Sequence, residues 1–109
     1  MGVLTGRMTP ETRFADNDIR HKVEWFVGIR NGRATQAWLD SLASIREILT
    51  SGGRTLAQGA LAWIWARSPN TVPIPGFRTV AQAQGNARAM EFGPLSPAQM
   101  IEIDRILGR

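Results

Sequence analysis

At 109 residues, 43% hydrophobic and 20% charged, the chain has the size and composition of one globular domain, which excludes a disordered tail. No run of about 18 apolar residues exists to cross a membrane, and Met1 to Arg7 lacks the basic-then-apolar build of a secretory leader, so no membrane association and a cytoplasmic protein are expected. The net charge is +4 and the sequence pI 11.3, but the twelve arginines and Lys22 are scattered, which reads as surface charge and not as a specific nucleic-acid site.

Composition removes several chemistries. Zero cysteines exclude a disulfide scaffold, a thiol nucleophile and thiolate metal ligands. A single histidine, His21, falls short of the two or three that zinc sites use, so no metal is expected. The chain also contains no tyrosine.

Residues 1–34 are loop-rich: Gly2, Gly6, Pro10, Gly28, Gly32 and the Asp16-Asn17-Asp18 cluster are turn chemistry. A short helix around 17–27 is expected, because Trp25 and Phe26 need burial. From Thr35, a candidate cap, Trp38, Leu39, Leu42, Ile45, Ile48 and Leu49 recur at helical spacing until Ser51-Gly52-Gly53. Thr55 and Gln58 form a capping-box pattern that opens a second helix. Its apolar face is Leu56, Ala60, Leu61, Ile64 and Trp65, and Gly59 permits close packing. Ser68-Pro69-Asn70 ends it.

Thr71-Val72-Pro73-Ile74-Pro75 predicts a short strand, since two prolines forbid helix and Val72 and Ile74 favour extension. A lone strand leaves its amides and carbonyls unpaired, so it is either an extended linker or a strand whose partners lie outside this chain. Thr79 and Gln82 open a third helix to about Glu91, and Ser96 and Gln99, with Pro97 at the first helical position, open a fourth. The count is about four helices and one strand near 71–75. Helix, short apolar strand, helix is the rhythm of an α/β unit, so the chain reads as part of an α/β protein.

The chemistry-bearing stretch is Val72 to Thr79: an expected strand, a glycine turn at Gly76, then a helix N-terminus. Free amides and the helix dipole there attract anions, above all phosphate. Arg78 would add a charge-assisted, two-pronged contact. The ordinary alternative is that Thr79 and Gln82 are only a cap and Arg78 only a solvated charge. His21 and Lys22 are adjacent on a loop and read as a surface pair. Trp25, Trp38, Trp63 and Trp65 read as core residues, or as residues meant for the wall of a larger fold.

Arg54-Thr55-Leu56-Ala57-Gln58-Gly59-Ala60-Leu61-Ala62-Trp63, Ile74-Pro75-Gly76-Phe77-Arg78-Thr79, Gln82, Asn86, Leu95-Ser96-Pro97 and Ile103-Asp104, in this order, resemble the C-terminal third of an aldo-keto reductase. Gly2-Val3-Leu4-Thr5-Gly6-Arg7 is similar to the family's glycine-containing loop after the seventh barrel strand, and Phe14 to Arg20 to the stretch after it. The resemblance implies the last part of a (β/α)8 TIM barrel. On that reading residues 1–109 are a single partial domain, with 1–34 loop-rich and 35–109 holding helices and the last barrel strand.

The family binds NADPH and reduces aldehydes and ketones by hydride transfer. Carried over, Gly76, Phe77 and Arg78 would meet the adenosine 2′-phosphate. Thr79 would offer its amide or hydroxyl, Gln82 would lie near the phosphate, and Asn86 would reach the adenine. Gly2, Leu4 and Thr5 would approach the pyrophosphate. The family usually has glutamate where this chain has Gly85, which removes one adenine contact. The family's catalytic aspartate, tyrosine, lysine and histidine come from the other half of the barrel, and a chain without tyrosine cannot supply that acid. The expectation is the NADP-binding part of an aldo-keto reductase, a truncated reading frame or partial protein. It would be catalytically inactive alone and bind nucleotide weakly or not at all in isolation. Its remaining partner would be the missing barrel half or a second copy. The alternative of another class is a small helical interaction module that self-associates.

Overall fold

The computed structural model describes residues 2–22 and 28–109. The expected helix over 17–27 is seen as one turn, α1 (Ile19–Lys22), and its remainder, with Trp25 and Phe26, lies outside the described residues. The chain forms two compact units, residues 1–44 and 45–109.

In the first unit, a 3-10 turn over Val3–Thr5 is bracketed by Gly2 and Gly6, both left-handed (φ 79° and 73°), and buries Val3. Asp18 fixes the start of α1. One carboxylate oxygen accepts from the Arg20 amide at 2.9 Å and Nε at 2.8 Å, and the other accepts from the guanidinium at 2.6 Å. The guanidinium also lies 3.9 Å above the Phe14 ring.

The expected loop ends in a hairpin of β1 (Ile29–Arg30) and β2 (Arg33–Ala34), antiparallel, with Ile29 opposite Ala34 and Arg30 opposite Arg33. The two turn residues, Asn31 at φ 49° and Gly32 at φ 68°, are both left-handed. That is the turn whose twist matches a two-residue hairpin, and Asn-Gly favours it strongly. Ile29 and Ala34 bury their side chains, while Arg30 and Arg33 stay exposed.

The helix α2 (Gln36–Leu49) follows the expected periodicity, with Leu42 and Leu49 buried. Gly52, at φ 69°, makes the left-handed exit. In the second unit α3 (Leu56–Arg67), α4 (Val80–Phe92) and α5 (Pro97–Ile106) begin where the three capping boxes placed them. In each box the hydroxyl accepts from the third-position amide, and the glutamine carbonyl accepts from the cap amide. The second unit's core is made by Leu49, Leu56, Leu61, Ala62, Ala89, Leu95 and Ile103. Gly59 lies against the end of α2 so closely that a Cβ there would stand 2.6 Å from the Leu49 carbonyl carbon. Trp38, Trp63 and Trp65 are half-buried, not core. Part of the expected apolar face of α3 is likewise half-buried, at Ala60, Ile64 and Trp65.

The expected strand at 71–75 is not one. Residues 71–77 are irregular and unpaired, with Val72 81% and Ile74 94% exposed. The reason is the one that made a lone strand awkward: no neighbouring strand exists among the described residues to share its backbone. The chain is thus mostly helical, with five helices and one two-stranded sheet among the described residues, and no parallel strand pair of a barrel.

Candidate functional site

The candidate site spans the Gly76 turn and the first two turns of α4, all within the second unit. Thr79 is extended (φ −130°, ψ 156°), so the chain enters the helix at its hydroxyl. That hydroxyl accepts from the Gln82 amide at 3.1 Å. Gln82 Oε1 accepts from the Arg78 amide at 2.7 Å and the Thr79 amide at 3.3 Å. The next two amides, of Val80 and Ala81, have no intrahelical acceptor, because the first turn of any α-helix lacks them.

The same segment carries three side-chain donors. The Arg78 side chain is exposed, and no hydrogen bond or ion pair engages it among the described residues. Gln82 uses its oxygen in the cap, which leaves Nε2 without an acceptor among the described residues. The other two capping glutamines spend theirs: Gln58 Nε2 donates to the Gly85 carbonyl at 2.8 Å, and Gln99 Nε2 to the Ser51 hydroxyl at 2.7 Å. Asn86 Nδ2 donates to the Gly76 carbonyl at 3.4 Å, which ties the turn to the second turn of α4. A Cβ on Gly76 would meet nothing within 4 Å, so that side of the turn is open. Phe77 is 65% exposed beside it. The structure therefore brings Gly76, Phe77, Arg78, Thr79, Gln82 and Asn86 together on one turn and the helix it opens. The same openness surrounds Gly85, whose Cβ position also meets nothing within 4 Å.

Sequence reasoning missed a polar framework behind this turn. Gln58 is buried and serves both its own cap and the Gly85 carbonyl of α4. Arg54 donates to the Ser51 carbonyl at 2.9 Å and the Phe92 carbonyl at 3.4 Å, and so ties the ends of α2 and α4. The signal for Gln58 was present in its capping box. The reach to Gly85, 27 residues away, is invisible to local spacing.

His21 and Lys22 belong to the first unit. The His21 ring packs on Gly32, where an added Cβ would collide with it, and its Nε2 lies 3.4 Å from exposed Asp16. Lys22 is exposed. Among the described residues no group of three or more His, Cys, Asp or Glu side chains could hold a metal ion, and no helix is long and apolar enough to cross a membrane.

Fold and site together define a mostly helical segment with a cationic, donor-rich helix start after an exposed, irregular glycine turn. A sequence profile of the aldo/keto reductase family matches residues 1–108, so the chain belongs to that family of oxidoreductases. An aldo-keto reductase of Strobilurus tenacellus is 30% identical over 88 residues, which are 81% of this chain and 25% of that protein. The chain thus spans about a quarter of the length of that relative. No solved structure matches significantly.

Proposed function

We propose that this chain provides the part of an NADP(H)-dependent aldo-keto reductase that grips the adenosine 2′-phosphate, and that it reduces no carbonyl compound alone. The observation that carries this reading is the unengaged Arg78 guanidinium beside the start of α4, with Gln82 Nε2 as a second free donor. A 2′-phosphate is a compact dianion that wants several convergent N–H and O–H donors. The residues present fit it. Arg78 would supply the charge, the Val80 and Ala81 amides the helix-terminal donors, and Gln82 Nε2 a neutral donor. Thr79 would act through the cap it already makes, holding those amides in place. Gly76 would admit the ligand close to the backbone, and Asn86 Oδ1 is left to accept from the adenine amine while Nδ2 holds the turn.

Bound NADPH supplies the hydride that the family's reaction delivers to a carbonyl carbon. What this chain contributes is binding and orientation, not proton transfer. It contains no tyrosine to protonate the carbonyl oxygen, and its one lysine and one histidine stand on α1.

Calorimetric titration of the purified chain with NADPH and NADH tests the reading. Arg78→Ala is expected to weaken NADPH binding by about 1–3 kcal/mol, the usual worth of a charge-assisted contact. NADH, which lacks the 2′-phosphate, should be little affected. Equal NADPH titrations for both proteins would sink the phosphate assignment. Turnover of an aldehyde panel above background would sink the inactivity.

A further inference from the structure

The chain holds four asparagines, Asn17, Asn31, Asn70 and Asn86. An asparagine side chain can be attacked by the backbone nitrogen of the next residue, because the two close a small ring. That nitrogen must first give up its proton, so a hydrogen bond already made by the amide withholds the nucleophile.

Three of the four nitrogens are committed. The Asp18 amide, after Asn17, donates to the Ala15 carbonyl at 2.8 Å, and the Thr71 amide, after Asn70, donates to the Ser68 carbonyl at 3.2 Å. The Ala87 amide, after Asn86, lies inside α4, where it donates to the carbonyl one turn before. The Gly32 amide, after Asn31, donates to no acceptor among the described residues. Asn31 is exposed, and its side chain makes no hydrogen bond among the described residues, so the carboxamide is free to turn onto that nitrogen. Gly32 has no Cβ to crowd the approach, whereas Asp18, Thr71 and Ala87 each have one.

The charges around the turn favour the same step. Arg30 pairs with Arg33 across the hairpin, and Arg13 bridges to Arg33 from the other side, so three arginines stand in a row. All three are exposed, and no ion pair among the described residues includes one of them. The attack passes through an amide anion and a negatively charged tetrahedral carbon, and positive charge beside both lowers the barrier.

We infer that Asn31-Gly32 is a site of spontaneous deamidation, presented by the folded hairpin. The Gly32 nitrogen bonds to Asn31 Cγ, the Cγ–Nδ2 bond breaks, and Nδ2 leaves as ammonia with the proton that the Gly32 amide lost. Water then opens the cyclic imide. Attack at one carbonyl gives aspartate, and attack at the other gives isoaspartate. Isoaspartate adds a methylene to the main chain of a two-residue turn whose length sets the register, so it undoes the pairing of Ile29 with Ala34. The site lies in the first unit and is independent of the nucleotide reading of the second.

Peptide mapping by mass spectrometry of the full 109-residue chain, kept folded at mildly alkaline pH, tests this without any substitution. Fragmentation that separates aspartate from isoaspartate identifies the route. Asn31 should convert at least about fivefold faster than Asn17, Asn70 or Asn86, the rate that one withheld backbone hydrogen bond is worth. Both acids should appear at position 31. In urea, Asn17 and Asn70 should speed up more than Asn31, because their following amides are released. Hydrogen exchange across residues 29–34 should be faster in the isoaspartate form than in fresh protein. Earlier conversion of another asparagine, aspartate alone at position 31, or an Asn31 that converts only in urea would overturn the inference. So would an isoaspartate form that exchanges across 29–34 no faster than fresh protein.

Discussion

Gln58 and Gln82 occupy the same position in the same motif and carry different weights. The Gln82 side chain bonds only to its own helix start, at the Arg78 and Thr79 amides, so Gln82→Ala is expected to cost about 1 kcal/mol of stability, the ordinary worth of a cap. Gln58→Ala removes a cap and also a second bond to the Gly85 carbonyl, which keeps its helical donor inside α4, so about 2 kcal/mol is expected. Urea unfolding of the two variants measures the gap, and equal midpoints would refute the cross-helix role. The caps themselves were legible from sequence, because a capping box is satisfied within four residues. The Gln58 bond to α4 was not, because its partner is set by packing. A second residue-scale effect concerns Glu102, whose carboxyl is held below its ordinary value by the hydrogen bond from Arg105 and by the charge of that guanidinium. A carboxylate lowered on folding stabilises the fold above its unfolded value, and that contribution is lost as the pH falls through the folded one. An NMR titration should therefore place the Glu102 midpoint below that of an ordinary glutamate, and Arg105→Ala should return it.

Two glycines inside helices show how an element's neighbours decide the effect of one methyl group. Gly59→Ala would drive a Cβ into the Leu49 carbonyl, where backbone must yield, so a loss of about 1–3 kcal/mol is expected despite alanine's better helix propensity. Gly85→Ala meets open space and should gain about 1 kcal/mol, since the bond it receives from Gln58 uses only the backbone. Thermal unfolding of both variants checks the opposite signs. The close approach at Gly59 was legible as a glycine in an apolar helical face. The hairpin was less well read. Asn31-Gly32 is a strong turn signal, but β1 and β2 are two residues each and show no alternation from which a strand could be recognised. The strand expected at 71–75 failed for the converse reason. Val72 and Ile74 have the propensity, but a strand is defined by its neighbour, and no neighbour occurs among the described residues.

At the scale of the whole chain, the helices of the second unit were readable because α3, α4 and α5 each carry their own start signal. The proposed nucleotide site was readable only as a set of residues from 76 to 86. The order of commitment within it, with Gln82 oxygen taken and its nitrogen left over, is set by side-chain geometry that residue spacing does not encode. The outward surface of α5 was not readable at all. Arg67 and Asp104 lie 37 positions apart in sequence, on different helices, and nothing local marks them as sharing a groove.

The exposed segment at 71–77 has one more consequence, which follows from the spacing of its prolines. In an extended chain, successive residues turn their amides to opposite edges. Drawn into an extended strand, Val72 and Ile74 would offer complete donor and acceptor pairs along one edge, while Pro73 and Pro75 would bring carbonyls without amide hydrogens to the other. Fibril growth needs a template that can be read from both sides. So drawn, this segment would accept a neighbouring strand on one side only, and would terminate a stack where an unbroken apolar strand would extend it.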